Sequence, residues 1–427
     1  MFYTFETGVE NIIMFNVKIG KFKASDIASE TSSFIKWIFI SVLVGLTVGA
    51  VGVGFHYSID IATELRHKHP WLIYLLPLGG LVIVLLYHLC KKDDDKGTNF
   101  ILKTVRKEGK ISLLTAPLIF ISSTITHLFG GSSGREGAAL QLGGSIAYNL
   151  GKLLRLNESD KKIITMCGMS AAFSALFGTP VTAAVFAIEV VTVGVMHFSA
   201  IIPCAIAAIV ATKLAQILGV SSTSFLLSEI PQLDWLSILK VGALSILCAL
   251  LSVVFCVAMH KSEKLYSKFF PNRYVRVVVG GILVILLTLI VGTHDYNGAG
   301  MDIVAKAIAG EARYEAFILK IIFTALTLSA GYKGGEIVPV FFTGSTFGNV
   351  AGNLLGLSPS FGAGIGLVSL FCGVTNCPIS SIILSVELFG AEGLVFFLLS
   401  CAISYMLSRY YSLYSGKKII FTELKHE

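Results

Sequence analysis

The stretch FGGSSGREGAALQLGG, residues 129–144, places two adjacent opposite charges inside a glycine run with apolar sequence on both sides. In hydrocarbon, an irregular backbone survives only where protein or a water-filled cavity satisfies its polar groups. A glycine loop between apolar segments is therefore expected to line a path for an ion. The helix predicted to follow, from Ala138 to Leu142, would present unpaired backbone N–H groups and the positive end of its dipole, which together attract an anion. The run GYKGGEIVP, residues 331–339, likewise precedes a predicted helix from Val340 to Phe342.

The composition of the whole chain is that of an integral membrane protein. Of its 427 residues, 54% are hydrophobic and 14% are charged, and the mean hydropathy is +0.79, which is far from the usual composition of soluble domains. Apolar windows predict spans at about 34–55, 71–90, 112–129, 198–218, 236–259, 275–292, 317–330 and 393–408. Two further apolar regions, 136–195 and 334–390, are broken by Gly and Pro. An all-α polytopic membrane protein is therefore predicted.

Basic residues near both ends of the chain predict its orientation. They are Lys18, Lys21, Lys23, Lys36, Arg409, Lys417, Lys418 and Lys425. By the positive-inside rule both termini are expected to be cytoplasmic, so the number of spans is even. Residues 1–33 are predicted as a cytoplasmic segment and 416–427 as a short cytoplasmic tail without a regulatory domain.

The charge and the cysteines of the chain argue against nucleic-acid binding, metal sites and disulfides. The net charge of +7 is explained by membrane orientation, and no nucleic-acid partner is expected because no basic patch with interleaved aromatics occurs. The eight cysteines form no CxxC pair and are interpreted as small buried hydrophobes. No metal or cofactor is expected.

An internal repeat relates the two halves of the chain. Gly134, Glu136, Gly144, Ser145, Asn149 and Leu154 recur 200 residues later as Gly334, Glu336, Gly344, Ser345, Asn349 and Leu354. A second block, TPVTAAVFAIEV at 179–190, recurs as CPISSIILSVEL at 377–388. Two halves with broken apolar segments at corresponding positions are typical of transporters or channels built from repeats, with the site near the membrane midplane. The sequence permits antiparallel repeats.

Glu136 is the strongest candidate for a functional residue, because placing an ionisable group inside a membrane span costs free energy. Deprotonated, its carboxylate would compete with an anion for the same N–H donors; protonated, it would lose that competition and move away. The alternative is a structural salt bridge with Arg135, but adjacent residues on a helix do not face each other. Arg135 is expected to meet another partner or to set a positive local potential.

Other polar residues keep two interpretations. Glu336 is either a second ionisable group or a structural carboxylate, whereas Glu189 and Glu387 are interpreted as structural groups at helix ends or between repeats. Tyr411 and Tyr414 belong to an interfacial belt or donate to an anion. A phosphate-binding membrane enzyme is the alternative from another class, but the pattern GxxxxGK[ST] is absent.

Four motifs resemble the CLC family of anion channels and proton-coupled antiporters: GREG at 134–137, QLGG at 141–144, GGExxP at 334–339 and LYS at 413–415. The resemblance runs in order from about residue 34 to 415. It implies a homodimer whose subunits each hold a pathway, with two inverted halves at about 34–220 and 235–415. It also implies a transporter rather than an enzyme.

The resemblance assigns roles to particular residues. Glu136 matches the gating, proton-coupled glutamate. The anion-binding residues that it implies are Thr98, Gly134, Arg135, Gly137, Glu336, Ile337 and Tyr414. Tyr414 is favoured over Tyr411 because the flanking Leu413 and Ser415 also fit the motif.

Three departures from the family pattern point to one branch of it. GTNFI at 97–101 replaces a GSGIP loop, Val190 stands where many antiporters have an internal glutamate, and Glu336 replaces an apolar residue. Together they resemble the bacterial branch that exports fluoride in exchange for protons, although Val338 replaces a threonine common in that branch. We therefore expect fluoride/proton antiport in a bacterial inner membrane, with a chloride channel or chloride/proton antiporter as the alternative.

Overall fold

The computed structural model describes residues 24–93, 97–106, 109–192, 196–408 and 410–414. Most of the predicted segment 1–33, the tail 416–427 and Ser415 lie outside them. The described residues form sixteen α-helices: α1 (Ala24–Lys68), α2 (Leu76–Leu89), α3 (Thr98–Arg106), α4 (Thr115–Leu128), α5 (Glu136–Leu153), α6 (Glu158–Phe177), α7 (Pro180–Glu189), α8 (Ile201–Ile217), α9 (Trp235–Phe269), α10 (Arg273–Val291), α11 (Met301–Ile308), α12 (Ala316–Ala330), α13 (Ile337–Leu354), α14 (Pro359–Thr375), α15 (Pro378–Phe389) and α16 (Leu394–Ser408).

Five helical segments are long and apolar enough to cross a membrane. They are Thr31–Lys68, Pro70–Leu89, Phe198–Ile217, Trp235–Phe269 and Arg273–Val291, which confirms five of the predicted spans. The predicted spans near 112–129, 317–330 and 393–408 correspond to α4, α12 and α16, of 14, 15 and 15 residues. Since a straight crossing takes about 20 residues, these three helices fall short of full length.

The two glycine- and proline-rich regions form the broken helices that the sequence predicted. α7 and α15 each begin with a proline, Pro180 and Pro378, at the position where the missing N–H costs no hydrogen bond. α5 begins at Glu136 and α13 at Ile337, two residues before Ala138 and three before Val340. An acidic residue in the first turn is stabilised by the helix dipole, so α5 takes in Glu136 instead of leaving it in the loop.

The helices repeat in order and in length across the two halves of the described chain. α1 and α9 are the longest, with 45 and 35 residues, and α3 and α11 the shortest, with 9 and 8. α5 and α13 both have 18 residues. Eight helices, α1–α8, are thus followed by eight of matching pattern, α9–α16. The repeat boundaries at about 34–220 and 235–415 stay a prediction.

Reciprocal contacts show how the two halves are related. Glu387 accepts hydrogen bonds from the first N–H groups of α7, at Val181 and Thr182. In return, Glu189 accepts from the first N–H groups of α15, at Ile379 and Ser380. Contacts in which each partner returns the other's interaction are the mark of a two-fold relation. The C-terminus of each helix lies at the N-terminus of the other, so α7 and α15 run antiparallel, and the fold is a helical bundle of two repeats with inverted topology.

The faces of the bundle are defined by α1. Lys36 Nζ, near the start of α1, lies 2.6 Å from Asp160 Oδ2 at the start of α6. We call this side the N-terminal face. Because α1 crosses the bundle and α2 returns, α2 also ends at the N-terminal face, where Asp93 pairs with Arg273 at 3.1 Å.

Candidate functional site

The site is built where the two glycine loops meet in the centre of the bundle. The N–H of Gly134 donates to the carbonyl of Gly335 and the N–H of Gly335 donates to that of Gly134, both at 2.6 Å. A Cβ at Gly335 would lie 2.5 Å from the backbone N of Gly137. Only glycine allows this approach, and it brings the starts of α5 and α13 side by side.

Glu136 is fully buried at the first position of α5. Its Oε2 accepts a hydrogen bond of 3.0 Å from the N–H of Arg135, and the N–H of Val338 in the first turn of α13 also faces its carboxylate. Its Oε1 is buried without a hydrogen bond among the described residues. The carboxylate thus occupies the position where backbone donors of both helix starts converge.

The side chain of Arg135 turns away from this centre toward α1. Its Nη1 lies 3.1 Å from Asp60 Oδ1 and 2.8 Å from His56 Nδ1, while its Nε is 3.7 Å from Glu136 Oε1. Asp60 also pairs with His56 at 3.0 Å. Arg135 therefore has the separate partners that the sequence predicted, and both its backbone N–H and its Nε also lie close to the Glu136 carboxylate.

Glu336 lines a cavity of about 500 Å³ that reaches the N-terminal face, whereas Ile337 is not among the lining residues. Glu336 is the N-cap residue of α13 and is half-buried, and Ile337, the first helical residue, is fully buried. Glu136 is in the bundle centre, whereas Glu336 lines the open cavity. Positions that match in the sequence repeat therefore lie one residue apart relative to the helix starts, and they differ in access to solvent.

Thr98 lies at the N-terminus of α3, beside Gly137. A Cβ at Gly137 would lie 3.4 Å from both Thr98 Oγ1 and Glu336 Oε2, so both oxygens line the space next to that glycine. The hydroxyl of Thr98 donates to the carbonyl of Gly137 at 3.0 Å, and Gln141 Nε2 donates to Thr98 Oγ1 at 3.2 Å. The Thr98 hydroxyl, which the resemblance assigned to anion binding, therefore donates to the backbone in this conformation.

Tyr414 reaches the same cavity from the end of the described chain. It is 3% exposed, lines the cavity and lies close enough to Glu136 and Glu336 for their charges to act on its phenol. Tyr411 is 46% exposed and is not among the cavity-lining residues. The geometry thus brings Tyr414, and not Tyr411, to the predicted site.

Several site residues were missed from the sequence. Gln141, His260, Glu263, Arg273 and Arg276 also line the cavity. Gln141 stands in the quoted QLGG motif, so its position was available as a signal. The other four sit at the end of α9 and the start of α10, and only their charge near a span end could have suggested them.

The departures from the family pattern fall at well-defined places. Val190 is fully buried at the C-terminus of α7. The neighbouring Glu189 caps α15, and its structural interpretation is confirmed. Val338 is 1% exposed beside Gly134.

The eight cysteines are free, seven of them buried and Cys90 half-buried.

Comparisons with known proteins agree with this architecture. The family model for voltage-gated chloride channels matches residues 78–409. A chloride/fluoride channel protein of Pseudomonas syringae pv. tomato is 34% identical over 94% of this chain and 90% of its own length. An H(+)/Cl(-) exchange transporter of Vibrio cholerae is 23% identical over 82% of this chain and 81% of its own. This chain belongs to the voltage-gated chloride channel family, the CLC family.

Solved structures confirm the CLC fold. The crystal structure of a CLC-type fluoride/proton antiporter matches with a TM-score of 0.87 and 30% identity, over 93% of this chain and 99% of that one. A slow cyanobacterial Cl-/H+ antiporter matches with a TM-score of 0.75 and 18% identity, over 88% and 94%. The second likeness bears on the fold alone.

Proposed function

We propose that this chain is a CLC-type transporter that exchanges fluoride for protons across a bacterial inner membrane, with Glu136 as its gate. The observation that carries the proposal is the position of the Glu136 carboxylate. It accepts from Arg135 N–H at 3.0 Å and faces Val338 N–H, and these donors from two helix starts would otherwise serve an anion.

Gating follows from competition for those donors. A carboxylate accepts charge-assisted hydrogen bonds, which are about twice as strong as neutral ones. Deprotonated Glu136 therefore holds the N–H groups and closes the path. Protonation removes that advantage. A halide then displaces the side chain and accepts hydrogen bonds from the same N–H groups. Each opening thus requires one proton on Glu136, which couples the two ions.

The anion path runs from the cavity to the gate. An anion entering the cavity would meet the N–H groups at Glu336 and Ile337 and the hydroxyl of Tyr414, and then the loop of Gly134, Arg135 and Gly137 beneath Glu136. Thr98 would contribute by holding the Gly137 carbonyl away from the anion, through the hydrogen bond of 3.0 Å.

Fluoride is the preferred ion on two grounds. Fluoride is small and strongly hydrated, so it needs a dense set of donors to replace its water. A protonated carboxyl at Glu336, which faces the cavity, adds a donor that a chloride site does not need and serves as a second proton carrier. Two relatives whose names include fluoride, a chloride/fluoride channel protein and a fluoride/proton antiporter, match this chain over most of its length.

Assembly and orientation complete the proposal. Both glycine loops, the cavity and Tyr414 come from one chain, so each subunit of a homodimer would hold a full pathway in the lipid bilayer. The N-terminal face and both termini would be cytoplasmic, as the basic residues at the chain ends predict. The protein would act as a transporter and not as an enzyme.

A passive or chloride-carrying protein is the second candidate. Val190 and Val338 are buried apolar side chains at positions where a proton-carrying group would be useful. If no relay replaces them, the halide would move without a proton.

Efflux from liposomes distinguishes these candidates. Purified protein is reconstituted with fluoride or chloride inside, and efflux of each ion is recorded with and without a pH gradient. We expect fluoride to leave faster than chloride and to drive protons against their gradient. Equal rates for the two halides would reject fluoride preference, downhill flux without protons would support the passive candidate, and no flux of either halide would reject transport.

A further inference from the structure

A groove on the outer surface of the bundle lies between α1, the start of α4 and α5, apart from the anion path. Its volume is about 690 Å³ and its lining includes Leu113, Ile146 and Leu150. Leu113 is 56% exposed. The groove therefore opens to the surroundings of the protein, which in a membrane are lipid.

The polar groups inside the groove are already satisfied by the protein. Thr47 donates its hydroxyl to the carbonyl of Leu43 at 2.7 Å. The amide of Asn149 donates to the carbonyls of Ile111 and Ser145 at 3.2 and 2.8 Å. Since the donor groups of these side chains are hydrogen-bonded to backbone carbonyls, the interior of the groove presents a surface suited to an apolar ligand.

Two cations stand at one end of the groove, at the N-terminal face. Lys152 and Arg155 line it there and are exposed. None of the ion pairs within the described residues includes either one. Two nearby lysines, in contrast, are paired with carboxylates: Lys36 with Asp160 at 2.6 Å and Lys161 with Glu158 at 2.8 Å. The groove thus ends in positive charge that the described residues do not neutralise.

The distance along α1 from the N-terminal face to Thr47 fits one leaflet of a bilayer. Thr47 lies eleven residues beyond Lys36 along α1, which is about 16.5 Å at about 1.5 Å per residue. Half of a hydrocarbon core of about 30 Å is about 15 Å. A ligand with its charged end at Lys152 and Arg155 would therefore reach Thr47 near the middle of the membrane.

We propose that this groove binds an anionic phospholipid from the leaflet at the N-terminal face. One acyl chain lies along Leu113, Ile146 and Leu150, and the phosphate lies between Lys152 and Arg155. Basic pockets between helices at a membrane surface commonly recognise such headgroups. The proposal rests on the membrane placement of the helices, and it does not depend on which ion the protein transports or on proton coupling.

The test is native mass spectrometry of the full-length protein in detergent, with phosphatidylglycerol or phosphatidylcholine added at equal mole fractions. We expect one tightly retained phosphatidylglycerol per subunit and at least tenfold less retention of phosphatidylcholine. Lys152→Ala with Arg155→Ala should lower phosphatidylglycerol retention at least tenfold. The matched control, Lys261→Ala with Lys264→Ala, removes two exposed lysines of α9 and should change retention less than twofold.

Two further arms examine the acyl chain and the folding of the variants. Ile146→Trp fills the groove and should also displace the lipid, while soluble glycerol phosphate should not compete with it. Monodispersity and halide efflux report that each variant is folded. Equal retention by the Lys152/Arg155 variant, or displacement by glycerol phosphate as effective as by lipid, would overturn the proposal.

Discussion

The two glycine loops share a backbone design and differ in what surrounds their glutamates. Gly134 and Gly335 exchange equal hydrogen bonds of 2.6 Å, so the backbone is nearly symmetric. Glu136 is sealed between two helix starts, whereas Glu336 faces an open cavity. The capping glutamates, Glu189 and Glu387, keep the symmetry instead. The contacts between the capping glutamates and the helix starts are therefore two-fold, whereas the surroundings of the two glutamates at the proposed ion site are not.

The close backbone contact between the loops gives the largest expected effect. In Gly335→Ala the added Cβ would lie 2.5 Å from Gly137 N and 3.2 Å from Glu136 N, so the donors at both helix starts must shift. Loss of a preorganised donor typically costs on the order of 100-fold in rate, and we expect a fall of that size in halide efflux. Gly54→Ala is the control, because no atom lies within 4 Å of its Cβ; equal losses in both variants would reject this account.

The two tyrosines near the end of the described chain give the next effect. Tyr414→Phe removes a hydroxyl from the cavity, and a hydrogen bond to a charged group contributes about 1.5–3 kcal/mol. We expect the fluoride affinity, measured by isothermal titration calorimetry, to fall at least about tenfold, since 1.4 kcal/mol is a factor of ten. Tyr411→Phe should leave it unchanged. A fall in fluoride affinity for Tyr411→Phe alone would show that the anion site lies nearer the surface, at Tyr411.

The capping glutamates test the symmetric part of the comparison. Glu189 receives two N–H donors and the hydroxyl of Ser380, and Glu387 receives two N–H donors. Unsatisfied buried donors cost about 1–3 kcal/mol each. We therefore expect Glu189→Ala and Glu387→Ala both to lower the thermal midpoint in detergent, the half-buried Glu387 by less, without changing the proton-to-halide ratio. A changed ratio would make either residue part of the transport route.

Much of the fold was predictable from local patterns. Apolar windows gave the five long spans because a membrane helix is defined by its own composition. The 200-residue offset between Gly134 and Gly334 revealed the repeat, since duplicated loops keep their glycines. Helix starts were placed two or three residues late, because the glycine run hides where the first hydrogen-bonded turn forms.

The environment of the site depended on contacts between distant parts of the chain. Arg135 meets Asp60 from 75 residues away, and Gln141 fixes Thr98 from 43 residues away. The residues Glu263 and Arg276 line the cavity only because α9 and α10 pack beside it. No local pattern encodes such distances, so the different exposure of Glu136 and Glu336 could not be predicted.

Proton movement in Glu136→Gln tests the central claim most directly. In liposomes with a fluoride gradient, extraliposomal pH is recorded for the native protein, Glu136→Gln and Glu336→Gln. We predict proton movement against its gradient for the native protein, reduced movement for Glu336→Gln, and none for Glu136→Gln while fluoride still flows. Proton movement at the native rate in Glu136→Gln would contradict the assignment of Glu136 as the proton-sensitive gate.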